Sequence, residues 1–149
     1  MSAYYDILSA LKTRITTAVA SANPLPTVAL RKRAVMLGGD PFPMIVLAPG
    51  DGGEVIEEET FNLHVTYSYP AIICLYLAGD RDQTLDTQGY LGLRQTIRNA
   101  IYQPLLAGAG TVYDTQMSLG GSFIQVENRS TVELTTFRLS FLSSETRSA

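Results

Sequence analysis

Every odd-numbered residue from 61 to 77 is apolar or aromatic: Phe61, Leu63, Val65, Tyr67, Tyr69, Ala71, Ile73, Leu75 and Leu77. Strand side chains alternate between two faces, so this unbroken period of two predicts a long β-strand with one face covered throughout. The even positions divide it. Asn62, His64, Thr66 and Ser68 are polar, whereas Ile72, Cys74 and Tyr76 are apolar. The first half therefore has one wet face, and the second half is expected at the centre of a sheet, covered on both. Residues 61–77 would span roughly 55 Å at about 3.3 Å each, against a diameter of roughly 40 Å for a compact chain of this length. Pro70 cannot donate to a ladder and is the expected break or bend. Without a break, the first half projects as an arm whose apolar stripe another chain must cover.

Short-range patterns place the other elements. Ile7, Leu8, Leu11, Ile15 and Val19 recur at three- and four-residue steps and predict a helix over 3–20, with Ser2 as its cap and Asp6 favourable to its dipole. This amphipathic segment, interrupted by Lys12 and Arg14, does not read as an export signal. Asn23-Pro24-Leu25-Pro26 ends it. A strand is expected over 27–37, a turn at Gly38-Gly39-Asp40-Pro41 and a short strand over 44–47. A second helix is expected over 85–103, with Tyr90, Leu93, Ile97, Ala100 and Ile101 as its stripe and Thr84 or Asp86 as its cap. Strands are expected over 111–119 and 123–126, with Gly120-Gly121 as the turn between them. Val132, Leu134, Phe137, Leu139 and Phe141 give a final strand. Its buried phase switches from even to odd, which predicts a bulge. The polar residues 143–149 are expected to fray. Helices and runs of strands joined by short glycine turns predict a single α+β domain over 1–149. Its sheet is mainly antiparallel, a long strand protrudes from it, and two helices pack on one face.

Composition narrows the function. Eleven basic and fourteen acidic residues give a net charge of −3, which argues against general affinity for nucleic acid. The single cysteine, Cys74, allows no internal disulfide and is expected to pack as a small hydrophobe. No stretch reaches the roughly 20 apolar residues of a membrane helix. The one histidine, His64, has no partner at metal-ligand spacing. Asp80, Asp82 and Asp86 suit turn and cap chemistry better than a cation loop, whose glycine and distal glutamate are missing. Pro49-Gly50-Asp51-Gly52-Gly53 lacks the lysine and following helix of a phosphate loop. No nucleophile elbow or Ser/His/Asp order is present. The expectation is therefore a protein without catalytic residues, cofactor or metal.

Three charged features remain. Arg31-Lys32-Arg33 is expected within a strand, where alternating side chains make no single patch. Arg94 and Arg98 are neighbours on the exposed side of the second helix and suit a polar contact. Asp51, Glu54, Glu57, Glu58 and Glu59 form a flexible acidic loop that a partner would order, or that would repel DNA in a channel.

The whole layout resembles that of bacteriophage tail-terminator and related neck or tail-completion proteins. The likeness is carried by residues 6–19, residues 43–50, the Tyr69-Pro70 break, Leu77-Ala78-Gly79-Asp80, and the helix over 90–102. It rests on element order and strand length. The resemblance implies a virion structural protein, assembled in the host cytoplasm as a homo-oligomeric ring, commonly a hexamer. Such a ring caps the tail tube, joins it to the head connector proteins, and lets DNA through its lumen without specific binding. It implies no enzyme activity and no membrane. Phe61, Leu63, Val65 and Tyr67 are the expected subunit contacts of the arm, with Arg94 and Arg98 beside them; Val65→Asp would then abolish assembly and spare folding. Other readings are a different neck or head-completion protein, a small non-viral ligand-binding accessory domain, or a metal enzyme built on residues 80–86.

Overall fold

A computed structural model describes residues 3–22, 25–59, 64–78, 84–101, 112–125 and 131–146. The order is α1 (Ala3–Ala18), β1 (Thr27–Leu30), β2 (Met44–Pro49), β3 (Val55–Glu59), β4 (His64–Ala78), α2 (Thr84–Ile101), β5 (Val112–Gln125) and β6 (Thr131–Thr146). The strands form one open sheet in the order β1-β2-β4-β6-β5, with β3 continuing beside β4 beyond the end of β2. β1 and β2 are parallel and every other pairing is antiparallel. This is the expected α+β class, a mixed, mostly antiparallel sheet with two helices packed on it.

Both helices bury the stripe their spacing marks. Ile7, Leu8, Leu11 and Ile15 of α1 and Leu93, Ile97 and Ile101 of α2 lie on one face of the sheet. They pack over Ile45 and Leu47 of β2, Tyr69, Ala71, Ile73 and Leu75 of β4, and Phe137, Leu139 and Phe141 of β6. Phe137 and Phe141 are fully buried there, and truncating such a side chain to alanine costs about 3–5 kcal/mol. The opposite face is apolar over one half only: Met44, Val46, Cys74, Tyr76 and Val132 cluster with Met36. Cys74 packs as the expected small hydrophobe, and burial pushes its thiol up.

β4 runs without interruption from His64 to Ala78, the expected residues 61–63 lie outside the described residues, and its second half is covered on both faces as expected. It does not break at Pro70, and it does not leave the sheet as a lone arm. β6 pairs with it from His64 to Ala78, while β2 and β3 together line its other side. The proline is tolerated because of where its missing donor falls. The N–H and C=O of one strand residue point the same way. The Pro70 carbonyl accepts from Gly50 N at 2.9 Å, so the absent N–H would point to the place where the neighbouring chain departs between β2 and β3.

Other expectations need correction. β1 is only four residues long, because residues 31–43 leave the sheet and run over its second face, where Ala34, Met36 and Phe42 join the cluster. Arg31 is thus not on a strand. Its guanidinium forks onto Asp40, Nη1 to Oδ2 at 2.6 Å and Nη2 to Oδ1 at 2.9 Å, and the Asp40 carboxylate also accepts from Leu37 N at 2.8 Å. Gly120 and Gly121 make no turn; they lie inside a continuous β5, opposite Thr136 and Thr135. β6 has no bulge at its phase switch. Its even residues Val132 and Leu134 serve the second-face cluster, and its odd residues from Phe137 onward serve the helix layer. β6 also continues to Thr146 with Ser143 fully buried, so the expected fray does not begin at 143.

Candidate functional site: the two margins of the sheet

The acidic loop is a short excursion from an otherwise straight line of chain. β2 ends at Pro49 opposite Ala71, and β3 begins at Val55 opposite Ser68. Between them Gly52 and Gly53 turn with φ of 85° and 69°, a region that side chains with a Cβ rarely adopt. Gly50 is required for a different reason: a Cβ there would lie 2.5 Å from the Pro70 Cβ. Beside this point the Tyr4 hydroxyl donates to the Pro70 carbonyl, and its ring lies 5.0 Å from that of Tyr69. Tyr69 donates to Glu145 Oε2 and stacks at a tilt with Tyr67, 5.8 Å away. Burial, then the hydrogen bond to Glu145, pushes the Tyr69 hydroxyl well up. The excursion thus springs from a fixed aromatic base, while Asp51, Glu54 and Glu57 stand exposed.

β3 carries more than charge. Val55 and Ile56 point to opposite faces and are 52% and 55% exposed, so neither face of this strand is covered. The acidic composition of the segment hides this apolar pair from a reading of charge alone. Glu57, Glu58 and Glu59, expected in a flexible loop, belong instead to β3, because the chain pairs with β4 again from Val55 onward; the side chains of Glu58 and Glu59 lie outside the described residues.

The opposite margin is β5, which among the described residues pairs with β6 alone. Pro70 directs its carbonyl toward β2, so Ser140 opposite it on β6 directs its backbone toward β5, where it meets Gln116. By alternation, Ser118 bonds inward to β6, while Met117 and Leu119 direct their N–H and C=O groups outward. Their side chains share the helix-side face with Leu139 and Phe137. Met117 is partly covered there, and Leu119 is exposed.

The expected contact residues are distributed differently from the expectation. Val65 is 3% exposed within the chain itself, so its burial needs no second subunit. Tyr67 is half-buried against Tyr69. Phe61 and Leu63 lie outside the described residues, as do Asp80, Asp82, the side chain of Asp86, the side chain of Tyr90 and Ser2. Arg94 and Arg98 do sit together on α2, half-exposed and exposed, in line with an exposed Leu91. α1 packs against β1 and β2, so α2 is the helix on the β5 side of the layer.

Among the described residues no three His, Cys, Asp or Glu side chains are grouped to hold a metal ion. Among the described residues no helix is long and apolar enough to cross a membrane. The arrangement offers two surfaces for association: a long bare edge beside a basic helix, and a short bare edge beside an acidic excursion. No family model matches the chain, and no curated protein matches it.

Proposed function

We propose that this chain is a structural subunit of a closed homo-oligomeric ring, and that the ring is a bacteriophage tail terminator, seated on the end of the tail tube and joining it to the head connector. The observation that carries the reading is the outer edge of β5. It is fourteen residues long, it contains no proline or lysine, and its one charged residue is Asp114. A long edge strand without such protection is a template for another strand, and soluble proteins blunt it or pair it. Pairing with a second copy satisfies the outward N–H and C=O groups through main-chain bonds, while the alternating side chains set the register. A ring also supplies what a terminator needs: two flat faces, one for the tube and one for the connector, around a lumen for DNA. The element order supports the same assignment, with a helix first, a long apolar strand in the middle, a second helix after it and two long paired strands last.

Light scattering and native mass measurement test the reading. The wild-type protein is expected as a ring of defined mass. Leu119→Pro removes one outward N–H and none of the bonds to β6, so it should melt within about 1 kcal/mol of wild type yet fail to assemble. Phage particles built without this chain should carry tails of uncontrolled length. A wild-type protein that stays monomeric at every concentration, or normal tails in its absence, would sink the proposal.

A further inference from the structure

The ring reading leaves open which surface of the next copy receives β5, and the polarity of the strands together with the charge distribution answers it. We infer that the ring closes head to tail: the β5 edge and the Leu91/Arg94/Arg98 stripe of α2 on one copy dock on the β3 edge and acidic excursion of the next. This rests on the ring reading and adds the partner surface to it.

Strand direction makes the junction possible. β3 is antiparallel to β4, β4 to β6, and β6 to β5, so β3 and β5 run in opposite directions at opposite margins of one sheet. A second copy set beside the first in the same orientation therefore brings its β3 against β5 as an antiparallel pair, the more stable of the two ladders. Two different surfaces repeated in this way make a heterologous contact, which generates a ring when the rotation closes.

Side chains favour this junction over β5 against β5. Ile56 faces the helix side of the sheet, as its pairing with Tyr67 shows, and Met117 and Leu119 face the same side on β5. With the two copies level, the registers set Ile56 beside Val112 and Leu119 beside Leu30 of β1, and a slide of the next copy along the strands, from the level of Ile73 to that of Tyr67, brings the exposed Ile56 and Leu119 together. One flank of α2 is basic, with Arg94 and Arg98 one turn apart and the exposed Leu91 beside them. The receiving margin is acidic, with Asp51, Glu54 and Glu57 exposed around Val55 and Ile56. Apolar area meets apolar area, and cations meet carboxylates. A β5–β5 contact would bring no base to either strand, and its two-fold symmetry would stop at a dimer.

Charge reversal tests this on the full chain. Arg98→Glu and Glu57→Arg both alter exposed side chains, so both variants should fold as wild type does. Each alone sets like charges across the junction and should raise the concentration at which the ring dissociates by about tenfold or more. Both together in one chain restore opposite charges and should return assembly toward the wild-type concentration. A wild-type ring that neither single reversal weakens, or that the double reversal fails to recover, overturns the junction and leaves the ring standing. A wild-type protein found only as a two-fold dimer overturns the junction as well, and one found only as a monomer overturns both.

Discussion

β4 and β5 are near equals in length, fifteen residues and fourteen, and β6 alone separates them in the sheet, yet they live in different environments. β4 has neighbours on both sides, helices over one face and a strap of chain over half of the other. Among the described residues β5 has one neighbouring strand, a partly covered apolar side chain in Met117, and exposed residues from Ser118 to Gly121. The contrast separates two uses of a strand. One holds the subunit together, and the other presents hydrogen-bonding groups that the subunit does not use. A strand that is striped with apolar residues is therefore not for that reason the one that meets a partner. The stripe of β4 is consumed internally, and the plainer β5 is left with an open margin.

Substitutions can break this contrast. The largest effect is expected at Val65. Val65→Asp places a carboxylate where the side chain is 3% exposed, at a cost of about 3–5 kcal/mol for an uncompensated buried charge. Leu119→Asp on β5 should change folding by no more than about 0.5 kcal/mol. Urea unfolding followed by circular dichroism measures both, and equal stabilities for the two variants would erase the distinction between the strands.

A smaller effect is expected from glycines. Gly50→Ala drives a Cβ to 2.5 Å from that of Pro70 and should cost about 1–3 kcal/mol through overpacking at the β4 margin. Gly120→Ala on β5 meets nothing within 4 Å and should be neutral or stabilising by about 0.4–1 kcal/mol, because it reduces the freedom of the unfolded chain. Thermal melts of the two variants should move in opposite directions. A melt of Gly50→Ala that matches wild type would show that Gly50 and Pro70 separate without cost.

The smallest effect is in alkali. Burial, then the proximity of Cys74, raises the Tyr76 hydroxyl above its ordinary value of 10.0, and burial raises Tyr69 as well. In the unfolded chain these tyrosines release their protons first, so the unfolded state binds fewer protons above that value. The stability they contribute is whole below about pH 10 and is lost as pH rises through the folded value. The melting temperature should therefore fall as the pH rises above about 10, less steeply in Tyr76→Phe, which also loses the bond to the Ala34 carbonyl. Identical slopes for the two proteins would show that Tyr76 titrates as an exposed phenol.

Local pattern made much of this architecture legible. The four-residue steps of Leu93, Ile97 and Ile101 and the alternation through β4 name the element and its covered face, because each depends only on backbone period. The even positions Ile72, Cys74 and Tyr76 correctly mark the half of β4 that is covered twice. Misreadings came where a residue type has a local habit that a distant segment overrides. Pro70 stays in a strand because the chain beside it departs at that position. Gly120 and Gly121 stay in a strand because β6 runs past them without interruption. Arg31 leaves the expected strand because Asp40 receives its guanidinium and holds residues 34–37 over the second face. Of the candidate site, Arg94, Arg98 and the exposed acids were legible from charge and spacing. The open edge of β5 was not, since nothing in a strand's own residues says how many neighbours it has.

By itself, then, the sequence determined the two helices, the long central strand and the final strand, the apolar face of each, and where charge collects. Tertiary structure alone decided the order of strands across the sheet, and with it which apolar stripe is spent inside the subunit and which backbone edge is left over. The physical reason is range: side-chain periodicity is written within a few residues, whereas strand pairing sets side by side residues as far apart as His64 and Thr146, whose meeting only the folded chain arranges.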